Sequence, residues 1–225
     1  MDRTKHRPIA RGKWSPRTGI IIAATLIITS LIIIHDLLGF IGIDLFLFSF
    51  IWYNLVYTPL KKKSALAVVP GAILGVIPPA VGWLVAGHSL LEAEFYALGL
   101  FYFIWQIPHF WLLVMLHFGS YKDAGYPTAM RLFGKMSLQR LTFVWLTLTI
   151  ATGYFMVSIF NPISSVINII LIVTAILAFV SSLQLLQKKF ELTDARKVFW
   201  QINAAFLATV ILISIDEMIK FNTLQ

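Results

Sequence analysis

The sequence predicts an all-α, polytopic transmembrane helical bundle, with about seven spans in one domain over residues 1–225. Of the 225 residues, 59% are hydrophobic and only 12% are charged, and the mean hydropathy is +0.83. An ordinary soluble domain carries about 25% charged residues. This chain therefore has too few polar side chains to cover a water-facing surface, and lipid must be the solvent for much of it.

The apolar residues fall into continuous runs of about 20 residues, the length that a membrane-spanning helix requires. Lipid offers no partner to backbone N–H and C=O groups, so each run is predicted to be a helix. The strands of a membrane barrel would be shorter and would alternate in polarity. In chain order, the runs are Thr18–His35, Phe40–Tyr57, Val68–Gly87, Phe95–Phe118, Leu141–Phe160, Ser164–Leu186 and Phe199–Glu217.

The formal net charge of +8 comes from lysines and arginines that cluster in alternate connections between the runs. The opposite connections are short and carry Asp36, Glu92 and Glu94. By the positive-inside rule, the N-terminus and the basic loops are cytoplasmic and the C-terminus is outside, in an integral protein of the bacterial inner membrane. The charge therefore indicates membrane topology and no nucleic-acid partner. The sequence has no cysteine, which excludes disulfides, Cys-ligated metals and thiol nucleophiles.

Two basic segments can bind phosphate. Arg3 and Arg7 are four residues apart, so one helical turn would place two planar guanidinium groups on the same face. The block Lys61-Lys62-Lys63 follows the second run. Either segment can instead serve only to set the topology or to contact lipid headgroups.

Two segments inside the spans can line a cavity. Pro78 and Pro79 kink the third run, and the alternative is a helix that only packs. Tyr102, Gln106 and His109 share one face of the fourth run, at i, i+4 and i+7. Polar groups inside a span are costly and are expected to face the bundle interior. Nearby aromatic rings can stabilise a carbocation, although aromatic packing, a core histidine or a haem contact would also explain the pattern.

These segments, with the loop Ser120–Pro127, resemble the UbiA superfamily of intramembrane prenyltransferases, and most closely its protoheme IX farnesyltransferase (haem O synthase) branch. The resemblance covers residues 1–127, and its Trp-Gln-x-Pro-His element is the most specific to that branch. The matching pieces are Arg3-Thr4-x-x-Arg7-Pro8, Tyr57…Lys62-Lys63, Gly75-x-x-Pro78-Pro79-x-x-Gly82, Trp105-Gln106-x-Pro108-His109-Phe110 and Tyr121…Ala124-Gly125-x-Pro127.

The resemblance implies a nine-helix fold with two acidic motifs that bind Mg²⁺ and diphosphate. The first two family helices and the first acidic motif are expected to be missing from residues 1–225. In the second motif, Ser120 stands where haem-modifying relatives commonly have aspartate, and Asp123 is the neighbouring carboxylate that would bind the metal.

The resemblance also implies transfer of a farnesyl group from farnesyl diphosphate to the vinyl group of haem B, giving haem O, at a lipid bilayer. The diphosphate ligands would be Arg3, Arg7, Lys62, Lys63 and Lys122. The catalytic residues would be Tyr102, Gln106 and His109. The cavity would be lined by Tyr57, Pro78, Pro79, Trp105 and Tyr121.

Three alternatives remain open on the sequence alone. The first is a related prenyltransferase that acts on a quinone precursor or a chlorin, against which the Trp-Gln-x-Pro-His element argues. The second is a non-catalytic haem-binding membrane protein. The third is a relative that has lost its activity.

Overall fold

The structure, a computed structural model, describes residues 6–223, and these residues form helices with no strand among them. The all-α prediction is therefore confirmed. Some helices contain a looser or tighter segment, namely a π-helical turn at Trp52–Tyr57 and 3₁₀ turns at Ile73–Val76 and Leu183–Leu186. In chain order the helices are α1 Pro16–Lys63, α2 Val68–Val85, α3 Ala93–Leu116, α4 Phe118–Asp123, α5 Ala129–Phe133, α6 Lys135–Phe160, α7 Ser165–Leu186 and α8 Leu192–Thr223.

In the described residues, 6 helices are long and apolar enough to cross a membrane, whereas the sequence predicted seven spans. The difference lies at the first two predicted runs, Thr18–His35 and Phe40–Tyr57, which belong to the 48-residue helix α1 and lie on either side of Gly39. This helix is interrupted only at Gly39, where φ is +60° and ψ is −142°. A Cβ on Gly42 would lie 2.6 Å from the carbonyl oxygen of Ile34. Eight residues of straight helix rise about 12 Å, so α1 bends back sharply at Gly39.

Helix α3 lies at the centre of the bundle. Its C-terminal half contributes Ile107 and Leu112 to one buried cluster, together with Leu138 of α6 and Val198 of α8. Its N-terminal half contributes to a second cluster, whose buried residues are Ala97, Phe101, Met156, Phe160, Ile167, Leu171 and Ile213. The predicted Tyr102–His109 face therefore lies between two packed layers.

The two ends of the bundle differ in charge. At one end, Lys135 at the start of α6 donates a hydrogen bond of 2.8 Å to the Phe190 carbonyl, between α7 and α8. This basic end also includes the Lys188-Lys189 pair. At the other end, the ring centroids of Trp83 and Phe160 lie 6.0 Å apart and connect the ends of α2 and α6. We call this the acidic end, because Glu92, Glu94, Asp216 and Glu217 lie there, with Lys220 among them.

Asp216 of α8 holds the short connection between α6 and α7 in place. Its side chain is 1% exposed and accepts hydrogen bonds of 3.1 Å from the backbone N–H groups of Ile163 and Ser164. Lys220 lies 3.4 Å from the same carboxylate and donates a 2.6 Å hydrogen bond to the Phe160 carbonyl. The carboxylate thereby satisfies two donors at the start of α7, which have no partner within that helix.

Candidate active site

The predicted catalytic face of α3 meets α8 through a group of aromatic side chains. Phe206 stacks on Trp105, with ring centroids 3.9 Å apart and 13° between the ring planes. Tyr102 meets the same phenylalanine edge to face at 4.9 Å. The rings of Tyr102, Trp105 and Phe206 therefore meet in the interior, beside the polar groups of α3.

His109 is held by contacts on several sides. Its Nδ1 lies 2.7 Å from Oδ1 of Asn203 on α8. The imidazole ring is half-buried and lies 4.7 Å from the Trp105 ring and 5.1 Å from the Phe199 ring, measured between centroids. The histidine is therefore fixed against α8 rather than facing lipid, as the cost of a polar group in a span predicts.

Gln106 faces α2, not α8. A Cβ added to Gly75 would overlap with Oε1 of Gln106, so only glycine leaves room for the amide. One turn earlier, a Cβ on Gly71 would lie 2.7 Å from the ring of Tyr57. Gly71 and Gly75 of α2 thus leave room for two predicted site side chains, Tyr57 and Gln106.

A cavity of about 870 Å³ runs from the acidic end into the bundle and reaches Tyr102. Pro79 and Trp83 of α2 also line it, and His88, Glu92 and Lys220 lie at its mouth. Pro78 is exposed and is not among the lining residues of this cavity. Of the two predicted cavity-lining prolines, the structure therefore places one in the wall.

A second cavity of about 580 Å³ lies between α6, α7 and α8. Its wall is mainly apolar and includes Phe101, Leu146, Gly153 and Leu171. Phe206 lines this cavity and also stacks on Trp105. The stacked rings of Phe206 and Trp105 therefore lie between the polar face of α3 and this apolar cavity.

The predicted diphosphate ligands within residues 6–223 lie outside the walls of these two cavities. Arg7, Lys62, Lys63 and Lys122 are exposed, and none of them lines either cavity. Tyr121 is half-buried at the basic end and also lies outside both walls. Arg3 lies outside the described residues. The convergence of these cations on a diphosphate stays a prediction.

Lys61 belongs to the predicted lysine block but was not among the diphosphate ligands that the resemblance implies, and it contacts two aromatic rings. Its Nζ lies 5.4 Å from the ring centroid of Tyr57 and 5.7 Å from that of Tyr53, in cation–π geometry. The lysine is therefore held against α1, close to the predicted cavity-lining Tyr57.

The fold and this site define an α-helical integral membrane protein whose interior carries a cluster of aromatic and polar side chains. Residues 1–209 match the UbiA prenyltransferase family, and the chain belongs to that family.

Several relatives are named protoheme IX farnesyltransferase. The chain is 37% identical to the one from Flavobacterium psychrophilum over 182 residues, which cover 76% of this chain and 58% of that protein. It is 36% identical to the one from Geobacter sulfurreducens over 133 residues, which cover 56% and 47%. The chain spans about half the length of the curated relatives it matches. No solved structure matches it.

Members of this family generally use Mg²⁺ to bind diphosphate. Within residues 6–223, no three histidine, aspartate or glutamate side chains come close enough to hold a metal ion. Asp123 is exposed at the end of α4. Since Mg²⁺ is usually bound by carboxylates together with substrate phosphates, the side chains of residues 6–223 do not form its site by themselves.

Sequence reasoning missed the α8 half of the site. Asn203, Phe199 and Phe206 lie about 90 to 100 positions after the residues that they contact, and no local pattern on α3 points to them. A signal was present nonetheless. Asn203 is a polar residue inside a predicted span, and such residues usually face the interior of a bundle.

Proposed function

We propose that the protein transfers a farnesyl group from farnesyl diphosphate to a vinyl group of haem B, giving haem O. Family membership and the names of the relatives support the reaction class and the acceptor. The observation that carries the proposal is the packing of the Trp-Gln-x-Pro-His element. Trp105 and His109 lie in the bundle interior against Phe206 and Asn203, and their neighbours Phe206 and Tyr102 each line a cavity.

The chemistry begins with cleavage of the bond between farnesyl C1 and oxygen, and the electron pair leaves with diphosphate. The π electrons of the haem vinyl group form a new bond to C1, which leaves a cation on the carbon next to the porphyrin. A water oxygen then bonds to that carbon and loses a proton, giving a hydroxyethylfarnesyl side chain. Tyr102, Trp105 and Phe206 pack against one another in the interior and are proposed to stabilise this cation, because aromatic rings attract a nearby positive charge.

The diphosphate is proposed to bind at the basic end, which faces the cytoplasm of a bacterial cell, with the inner membrane as the location. Arg3, Arg7, Lys62, Lys63 and Lys122 supply the positive charge. Guanidinium groups bind phosphate oxygens in pairs, and charge neutralisation makes diphosphate a better leaving group. The farnesyl chain and the porphyrin would then meet on the apolar side of these charges.

The test is a transfer assay with the full-length protein in membranes, with farnesyl diphosphate and haem B as substrates and mass spectrometry of the haem products. Haem O is the expected product, and 4-hydroxybenzoate should remain unmodified. Prenylation of 4-hydroxybenzoate instead would favour a quinone-precursor acceptor. A haem absorption spectrum without any transfer would favour a haem-binding protein, and either result would overturn the proposal.

Arg7→Ala tests the diphosphate ligands, with Arg17→Ala as the matched control, because both arginines are exposed and belong to the same basic segment. We expect Arg7→Ala to lower farnesyl transfer at least about tenfold at an unchanged protein level. The control should retain most activity. If both variants lose expression and transfer equally, the arginines only set topology and the ligand assignment is wrong.

A further inference from the structure

Asn203 makes two hydrogen bonds that fix the orientation of its amide. Its Nδ2 lies 2.5 Å from the carbonyl oxygen of Phe199, one turn earlier on α8. Its Oδ1 lies 2.7 Å from Nδ1 of His109 on α3. A backbone carbonyl can only accept hydrogen bonds, so the NH₂ group must face Phe199 and the amide oxygen must face the histidine.

This orientation determines where the proton of His109 lies. An amide oxygen can only accept, so Nδ1 of His109 must carry the hydrogen. A neutral imidazole has one N–H group, and its lone pair is therefore on Nε2. Nε2 makes no hydrogen bond within residues 6–223, since Asn203 is the only hydrogen-bond partner of the ring in that part of the chain.

We propose that Asn203 is a positioning residue that holds His109 as the Nδ1–H tautomer and thereby presents Nε2 as a proton acceptor in the reaction centre. The Trp105 and Phe199 rings restrict rotation of the imidazole, so the bond to Asn203 selects the tautomer as well as the ring position. A neutral amide does this without adding a net charge inside a span, where a charged side chain would be costly.

The role of Nε2 in the reaction rests on the proposed function. When the water oxygen bonds to the cationic carbon, Nε2 takes the proton that the water releases, and the imidazole becomes a cation. The Nδ1–H bond to Asn203 then becomes charge-assisted and strengthens. The diphosphate left in an earlier step, so atoms and charge balance without any further reactant.

The tautomer is tested directly by ¹⁵N NMR of the histidine rings in the full-length protein in detergent. His109→Gln assigns the signals of His109 among the five histidines of the chain. We expect wild-type Nδ1 to be protonated and Nε2 to be unprotonated. A wild-type Nε2–H signal would overturn the proposal without any variant of Asn203.

Two variants test the part played by Asn203. Asn203→Leu removes the acceptor and should give a mixture of tautomers, whereas Asn203→Asp keeps an oxygen acceptor and should preserve Nδ1–H. Asn168→Leu is the matched control, since it removes a 3.0 Å side-chain bond to the Pro162 carbonyl, remote from His109. An unchanged tautomer in Asn203→Leu would overturn the proposal.

The transfer assay gives a second, independent readout. Loss of a general base commonly lowers the rate about 10²–10⁴-fold, and loss of its correct tautomer should cost at least about tenfold in kcat with little change in KM. Asn203→Asp should recover part of this loss. Absence of transfer by wild-type protein would contradict the proposed function, while the NMR result would still decide the tautomer. A kcat of Asn203→Leu equal to that of wild type would contradict the positioning role of Asn203.

Discussion

Replacement of Asp216 should destabilise the protein more than any exposed charge change at the acidic end. Asp216→Ala removes the acceptor of two backbone hydrogen bonds of 3.1 Å and leaves the N–H groups of Ile163 and Ser164 without their partner. It also removes a carboxylate that is 1% exposed from the neighbourhood of Lys220. Breaking a buried charged pair on one side typically costs about 3–5 kcal/mol.

The magnitude follows from what each variant retains. Asp216→Asn keeps one oxygen acceptor and loses the other, and a hydrogen bond to a charged group contributes about 1.5–3 kcal/mol. We therefore expect a loss of about 3–5 kcal/mol for Asp216→Ala and about half of that for Asp216→Asn. Glu217→Ala is the control, because Glu217 pairs with the same lysine but its side chain is 44% exposed. An exposed pair contributes about 0–1 kcal/mol.

The assay is reversible unfolding in mixed micelles, followed by tryptophan fluorescence, with the three variants and wild type measured in the same micelles. The expected order of stability is wild type, Glu217→Ala, Asp216→Asn, Asp216→Ala, from highest to lowest. If Asp216→Ala unfolds at the same denaturant fraction as Glu217→Ala, the buried carboxylate does not fix the α6–α7 connection. The reasoning from burial and hydrogen bonding would then be wrong.

Two glycine substitutions test the backbone and the site, and Gly82→Ala serves as the stability control for both, since a Cβ there meets nothing within 4 Å. Gly75→Ala should displace the Gln106 side chain, lower the free energy of unfolding by about 1–3 kcal/mol through overpacking, and lower the rate of farnesyl transfer. The unfolding assay measures the first loss and the haem product assay measures the second. Gly39→Ala should cost about 1–3 kcal/mol, because its φ of +60° and ψ of −142° are open almost only to glycine. If Gly75→Ala is as stable as Gly82→Ala, the close approach of Gly75 to Gln106 is wrong. If Gly39→Ala is as stable as Gly82→Ala, the backbone angles at Gly39 are wrong.

The helical architecture could be predicted because lipid leaves the backbone little choice. The predicted runs Val68–Gly87 and Ser164–Leu186 agree with α2 and α7 to within two residues at each end. The predictions for α6 and α8 began too late, at Leu141 and Phe199. Hydropathy follows only the apolar part of a helix, whereas a helix can continue into the aqueous phase through charged residues that favour helix formation.

The site was predictable along α3 but not across the bundle. The i, i+4, i+7 spacing correctly places Tyr102, Gln106 and His109 in the interior, since helical periodicity is a local property. It could not show that Gln106 faces Gly75 while His109 faces Asn203, because tertiary packing decides which neighbour each side chain meets. The spacing of Arg3 and Arg7 and the lysine block could not show what these side chains meet, and their contacts with a ligand remain a prediction.

The bend at Gly39 has a consequence for handling the protein. No residue in the most apolar window of α1 is buried, whereas 44% of the corresponding window of α3 is buried. The first hairpin therefore leaves its apolar surface uncovered by the other described helices, and the Trp52 indole N–H attaches it to α2 through a hydrogen bond of 2.7 Å to the Pro70 carbonyl. Extraction into harsh, short-chain detergents should release this hairpin before the α2–α8 core loosens, so purification should retain native lipid.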